Sequence, residues 1–352
     1  MSSPDDLTPQ EAVDRFLAKR TTDATERTIE SYEYRLKHFV DWCEAEEIET
    51  VGELDPWHID EYDLWNRQQD YAPTTVKGHL SSVKVLLDYL DRIGAVEDDL
   101  GDSVEVPNLS KGEESSDERL SPEDALASIR YMREEPAFYG RPMHAYLEVL
   151  WHTGARMGGI RGLDVGDYNA EEGYLAFRHR ETTGTPLKNK EDGERLVGIP
   201  PETCDVLEAY IERERFDKRD EHGREPLFCA RQGRPSFTTF RGWAYLATQP
   251  CLHTDCPHGN ERYSCDYVTR NHASKCPSSR SPHRIRTGSI TWQLNRGLDV
   301  EVVSARVNAT PEVIRRFYDK ATEVEQFTER RDEVADALSI DDGPTTDTPS
   351  QS

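Results

Sequence analysis

A small set of basic side chains and one tyrosine have the types and spacing to act on a phosphate. Arg156 follows a glycine-containing turn in TGARMGGIRGLDVGDY, at the start of a short predicted helix. His283 and Arg286 stand three apart in SPHRIRTGSI, behind a Ser-Pro start, so both face one way on a first helical turn. Lys188 and Lys190 sit in the polar stretch GTPLKNKEDG, and Tyr318 follows Arg286 by 32 residues in VIRRFYDK. Singly, each has a plainer reading: the arginines pair with surface carboxylates, His283 caps a helix, and Tyr318 packs with Phe317. Together they explain one another. Guanidinium groups bind phosphate oxygens bidentately, a histidine carries a proton, and a lysine is a mobile cationic acid. A tyrosine hydroxyl, with an ordinary pKa near ~10, becomes a nucleophile when guanidinium groups stabilise its developing phenolate. The set equips a phosphoryl-transfer site that needs no metal. No Gly-x-x-x-x-Gly-Lys-Ser/Thr loop is present to bind a nucleotide.

The elements that must position these groups read as a mainly α chain with a small antiparallel β-sheet. In TIESYEYRLKHFVDWCEA, the residues Ile29, Tyr32, Leu36, Phe39, Val40 and Cys43 recur at helical spacing. Val76, Leu80, Val83, Leu87 and Leu90 repeat the pattern before Gly94, a C-cap. With shorter helices at Pro9 and at Pro56, residues 1–98 form a predicted four-helix domain. Residues 99–120 read as an exposed acidic linker: from Gly94 to Ser121 there are nine acidic residues and two basic ones, with Pro, Gly and Ser. A second domain, residues 121–331, opens on Ser121-Pro122-Glu123-Asp124, an N-cap followed by proline. GYLAFRHRE and ERLVGIP alternate as the two arms of an antiparallel hairpin around the lysines. The tail, residues 332–352, is polar and Pro-rich and is predicted to be disordered.

Asp and Glu outnumber Lys and Arg by 68 to 43, for a net charge of −25 spread along the chain. Such a surface fits a cationic partner or a proteome adapted to concentrated salt; the scarcity of lysine favours the halophilic reading. It does not exclude DNA, because Arg280 to Lys320 holds eight basic and four acidic residues, a local charge of +4. Lys77, His79 and Lys84 are further candidates for backbone phosphate contacts, or else form a solvated helix face. There is no apolar run of the ~18 residues a membrane span needs, and MSSPDDLTPQ lacks the regions of a signal peptide, so a cytoplasmic protein is expected.

These motifs, in this order, resemble the tyrosine recombinases of the phage-integrase family, of the kind found in salt-loving archaea. The likeness runs from about Pro9 to Lys320. TGARMGGIRGLDVGDY resembles the first-arginine motif, PHRIR the His-x-x-Arg motif and RRFYDK the nucleophile segment, while Thr28, Tyr32, Leu36, Phe39 and Trp42 resemble the core-binding helix. The resemblance implies a two-domain clamp on double-stranded DNA, acting as a homotetramer on paired sites, with accessory DNA-bending proteins as candidate partners. It makes Tyr318 the nucleophile, Arg156 and Arg286 the phosphate-oxygen ligands, His283 a proton handler and Lys188, ahead of Lys190, the acid for the leaving oxygen. No catalytic cofactor is implied. One position departs from the family pattern: where a histidine or tryptophan is usual, RVNATPEVIRRFY places Asn308 or Ala309. An asparagine still donates to a phosphate oxygen but carries no charged proton. That departure keeps open a DNA-binding regulator with an impaired site beside the reading as a strand-joining enzyme.

Residues 251–276 form a Cys-rich insertion. Cys251, Cys256, Cys265 and Cys276, with His258 or His272 as substitutes, suit a structural zinc that would hold the loop ahead of His283. The spacing is not that of paired C-x-x-C motifs, and unpaired loop thiols are the competing reading.

Overall fold

The computed structural model describes residues 3–114 and 118–317, except for the side chains of Lys111, Glu114 and Phe317. Tyr318 and the tail at 332–352 lie outside the described residues. The chain divides into two compact units, Met1–Ser116 and Asp117–Ser352. Among the described residues no helix is long and apolar enough to cross a membrane.

The first unit holds α1 (Pro9–Arg20), α2 (Glu26–Ala45), α3 (Pro56–Gln68) and α4 (Pro73–Arg92). Its helix starts are chemically fixed. The side chains of Thr8, Thr25 and Asp55 accept from the backbone N–H groups of Glu11, Thr28 and His58, and proline opens α1, α3 and α4. Leu36, Phe39 and Cys43 of α2 share one core with Phe16 of α1 and Leu80, Val83, Leu87 and Leu90 of α4. Each such side chain contributes about 1.5–3 kcal/mol by leaving water. Tyr62 of α3 closes the core against Trp42, ring centroids 5.3 Å apart.

Two expectations change here. The acidic segment is not wholly an exposed linker: Leu100 and Val104, four apart, are buried in the first unit's core around a 3-10 turn at Leu100–Ser103, while Asp102 between them stays exposed. A short helix, α5 (Lys111–Glu114), follows. Two of the proposed phosphate contacts on α4 are otherwise engaged. His79 is 1% exposed, with Nδ1 3.0 Å from Asn66 Oδ1 and its ring against His38. Lys84 donates to the Gly101 carbonyl and to Asp102.

The second unit begins as its sequence requires, with Ser121 Oγ accepting from Asp124 N at 3.1 Å. It contains α6 (Pro122–Glu134), α7 (Pro142–Thr153), α8 (Met157–Gly162), β1 (Tyr168–Asn169), β2 (Tyr174–Phe177), β3 (Arg195–Gly198), α9 (Pro201–Arg213), α10 (Phe237–Ala247), α11 (Pro282–Asn295), α12 (Val300–Val307) and α13 (Pro311–Phe317). Helix α7 is the axis of the core: every side chain from His144 to Leu150 is buried, as are Trp151 and Thr153. Glu148, on α7, is fully buried yet charged. Burial opposes the charge, but bonds from His144, His152 and Arg133 outweigh it and hold the carboxyl well below its usual range. With Thr203 donating to the same group, it ties α6 and α9 to α7.

The sheet is antiparallel in the order β1-β2-β3, with Leu175 opposite Val197 and Phe177 opposite Arg195. Its first arm is shorter than the sequence suggests. The ladder stops at Phe177, and an inner bridge between Arg180 and Thr185 takes over before the lysines. Arg180 turns away to make two bonds to Asp167, which removes it from the strand.

Candidate active site

Helix α7 ends at Gly154, which is left-handed with φ 57°. A side chain there would be strained and would also press on Val307, whose Cγ1 would lie 2.9 Å from its Cβ. The glycine therefore brings two elements close. Two residues later the chain delivers Arg156 as the N-cap of α8. Helix α11 starts on Ser281, whose hydroxyl accepts from Arg284 N, and so places His283 on its first turn and Arg286 at the start of its second. His283 is exposed, whereas Arg286 is 1% exposed.

What gathers the cations is the carboxyl end of α12. The last carbonyls of a helix lack partners within it and carry the negative end of its dipole. Here three in succession each receive a guanidinium. The Arg306 carbonyl accepts from Nε of Arg195 at 2.6 Å, the Val307 carbonyl from Nη1 of Arg286 at 2.9 Å, and the Asn308 carbonyl from Nη1 of Arg156 at 2.6 Å. Nη1 of Arg286 also donates to the Gly154 carbonyl at 2.6 Å. Asn308 itself is left-handed, φ 52° and ψ 63°, a conformation asparagine tolerates better than most residues. Its Oδ1 accepts from Nδ2 of Asn189, in the hairpin loop, at 2.8 Å.

Those contacts create a cleft lined by Arg156, Gly159, Leu187, Lys188, Arg195, Val307 and Asn308. Lys188 is exposed at its edge. Lys190 is not among the lining residues and begins a 3-10 turn with φ 50°. The imidazole of His283 has its pKa lowered from the ordinary 6.5, first by partial desolvation and then by the positive charges of Arg286, Arg156 and Lys188. So the structure brings Arg156, His283, Arg286, Lys188 and Asn308 into one electrostatic neighbourhood. Helix α13 (Pro311–Phe317) follows, and Phe317, the residue before Tyr318, is the last described residue.

Sequence reasoning missed Arg195. It lies on β3 opposite Phe177, over whose ring its guanidinium sits at 4.2 Å. The signal was present as a basic residue entering an apolar strand, but its meaning depends on carbonyls over a hundred positions away.

The Cys-rich segment is built differently from the zinc clip expected of it. It is a series of 3-10 turns, at Pro250–Leu252, Arg262–Ser264, Asp266–Val268 and Ala273–Lys275. Cys251, Cys256 and Cys265 are half-buried and Cys276 is buried. Among the described residues no group of three or more His, Cys, Asp or Glu side chains is placed to hold a metal ion, so as folded the four cysteines do not fit a zinc centre. Cys251 Sγ instead accepts from Nη1 of Arg262 at 3.0 Å, and His258 pairs with Ser278. The segment docks on α10 through Arg270, which donates to Thr239 and lies over Gly242, where any Cβ would collide with its stem.

Known proteins are similar to this chain in sequence and in fold. Residues 13–94 match the N-terminal SAM-like domain of phage integrases. Tyrosine recombinase XerD of Pseudomonas aeruginosa is 25% identical over 296 residues, 83% of this chain and 86% of that protein. The N-terminal domain of a phage integrase/site-specific recombinase from Haloarcula marismortui is 46% identical, covering 29% of this chain and 97% of that one, with a TM-score of 0.28. A lambda integrase tetramer bound to a Holliday junction shares the fold at a TM-score of 0.60 and 13% identity, covering 91% of this chain and 80% of that chain. The chain belongs to the tyrosine recombinases of the phage-integrase family.

Proposed function

We propose that the protein is a site-specific recombinase that cuts and rejoins double-stranded DNA through a 3′-phosphotyrosyl intermediate. The observation that carries this reading is the seating of Arg156 and Arg286 on the end of α12, the helix that leads through Pro311 into the segment bearing Tyr318. Tyr318 Oη attacks a backbone phosphorus, and the P–O5′ bond breaks as the P–O(Tyr) bond forms. Negative charge building on the non-bridging oxygens is met by Arg156 and Arg286, whose positions are set in advance and need no reorganisation. Lys188, exposed at the cleft edge, protonates the departing 5′-oxygen. His283, held neutral at pH 7 by its surroundings, accepts the tyrosine proton. Attack by a 5′-hydroxyl of another strand reverses these steps and returns the proton and the tyrosine. The bond energy is conserved throughout, so the cycle balances with no nucleotide.

The biological setting we favour is integration and excision of a mobile element, or resolution of replicon dimers, by a tetramer on two duplexes; the lambda integrase tetramer on a junction supports that assembly. Asn308 favours a second reading, a DNA-binding regulator with an impaired site, because its amide supplies no charged proton. The test is covalent capture. Wild type and Tyr318→Phe are incubated with nicked suicide duplexes carrying candidate sites, and denaturing gels are read for protein–DNA adducts. Adducts with wild type alone are expected; binding without any adduct moves the regulator ahead.

A further inference from the structure

We propose that Arg195 is a third phosphate-binding guanidinium of the cleft, beyond the two arginines of the sequence motifs. The inference rests on the reading of the cleft as a phosphate site and identifies a further residue of it. Its first support is geometric. Arg195 lines the same cleft as Arg156, Lys188 and Asn308. Its orientation is fixed on three sides: Nε donates to the Arg306 carbonyl at 2.6 Å, Nη1 to the Gly193 carbonyl at 2.9 Å, and the guanidinium plane sits 4.2 Å from the Phe177 ring centre. Nη2 takes part in neither bond and remains to donate to an oxygen in the cleft. Two carbonyls thus hold the guanidinium by Nε and by one N–H of Nη1, and both N–H groups of Nη2 are left for an oxyanion.

The second support is charge. Among the described residues no carboxylate pairs with Arg195, although arginines elsewhere in this unit find them readily, as Arg180 finds Asp167 and Arg234 finds Asp164. The charges that bear on Arg195 are those of Arg286 and Arg156; together with burial, which acts first, they push its pKa down to about 9. A half-buried cation beside two of its own sign is unfavourable until an anion arrives. A phosphate diester supplies the missing charge, and its transition state, with more charge on the non-bridging oxygens, supplies more.

The experiment uses the full-length protein with inorganic phosphate as the probe, titrated against chloride at constant ionic strength, for wild type, Arg195→Met and Arg195→Lys. Methionine keeps the packing over Phe177 and removes the charge; lysine returns the charge without the fork. Phosphate affinity is expected to fall at least fivefold in the methionine variant and to recover part of that loss in the lysine variant. Equal affinity in wild type and Arg195→Met, or no phosphate binding by wild type, overturns the assignment. If Arg195→Met does not fold, Arg195→Gln, whose amide nitrogen replaces Nε as donor to the Arg306 carbonyl, takes its place with the same expected loss. Adduct capture on DNA tests Tyr318 separately, so absence of adducts with phosphate affinity intact counts against the nucleophile and not against Arg195.

Discussion

Nη1 of Arg156 donates to the carbonyl of Asn308 at 2.6 Å, across 152 residues of sequence. The bond joins the start of α8 to the end of α12, so the first-arginine motif and the approach to Tyr318 are parts of one rigid corner. Replacing either arginine by lysine keeps the charge but loses the planar fork. For Arg156→Lys and Arg286→Lys we expect single-turnover strand cleavage to fall by about 100- to 1,000-fold, in the range of a lost oxyanion donor. DNA affinity should stay within about threefold by mobility shift. A loss of affinity as large as the loss of rate would make these residues simple DNA anchors.

The lowered pKa of His283 has a definite sign in a pH profile. The neutral imidazole is the proton acceptor, so cleavage is expected to be flat above pH 6.5 and to decline as the pH falls through the lowered folded value. In His283→Gln that acid limb should disappear while the overall rate drops roughly 100-fold. The ratio of wild-type to variant rates between pH 5 and pH 8 is the measurement.

Asn308 tests the backbone and not the chemistry. At φ 52° a residue other than glycine or asparagine pays about 1–2 kcal/mol, so Asn308→Ala should lower stability by that amount. Asn308→Gly should stay within roughly 0.5 kcal/mol of wild type in urea unfolding. Equal destabilisation by the two would locate the cost in the lost Asn189 contact.

His79 is depressed to about 4, first by burial and then by the nearby charges of His38 and Arg35. Its contribution to stability is complete above the unfolded value of 6.5 and is lost as the pH falls toward 4. Between pH 7 and pH 5 that loss is roughly 2 kcal/mol. His79→Gln should remove this part of the acid sensitivity, seen as a smaller shift in the unfolding midpoint than wild type shows.

Metal chelation is expected to leave the thermal unfolding curve within about 1 °C of the untreated protein, since the cysteines converge on no common point. A fall several times larger, reversed by added zinc, would show that these turns rearrange around a metal.

The helices of the first unit were legible because caps, prolines and apolar spacing agree there; the structured starts at Pro9, Pro56 and Pro73 follow from one Thr, one Asp and three prolines. Arg156, His283, Arg286 and Lys188 were legible as a set because their residue types make one chemistry. His79 was misread, yet it stands three residues after Val76 and one before Leu80, on the stripe that periodicity assigns to the core. Leu100 and Val104 were hidden by the acids around them, since composition averages over a window while burial acts on single side chains. Arg195 was visible as a basic residue in a strand, but its place at the cleft needed the fold: its neighbours are Phe177 across a strand pair and a carbonyl 111 positions along the chain. The cysteines are the opposite case: close in sequence, they are not grouped as a set of three or more metal ligands among the described residues.

The three arginine-to-carbonyl bonds at the end of α12 also bear on durability in strong electrolyte. A surface ion pair weakens as dissolved ions compete for both partners. A peptide oxygen carries no net charge for a dissolved cation to neutralise, and no proton to gain in mild acid. The positions of these guanidinium groups are therefore expected to persist across ionic strengths that would loosen an equivalent set of carboxylate clamps.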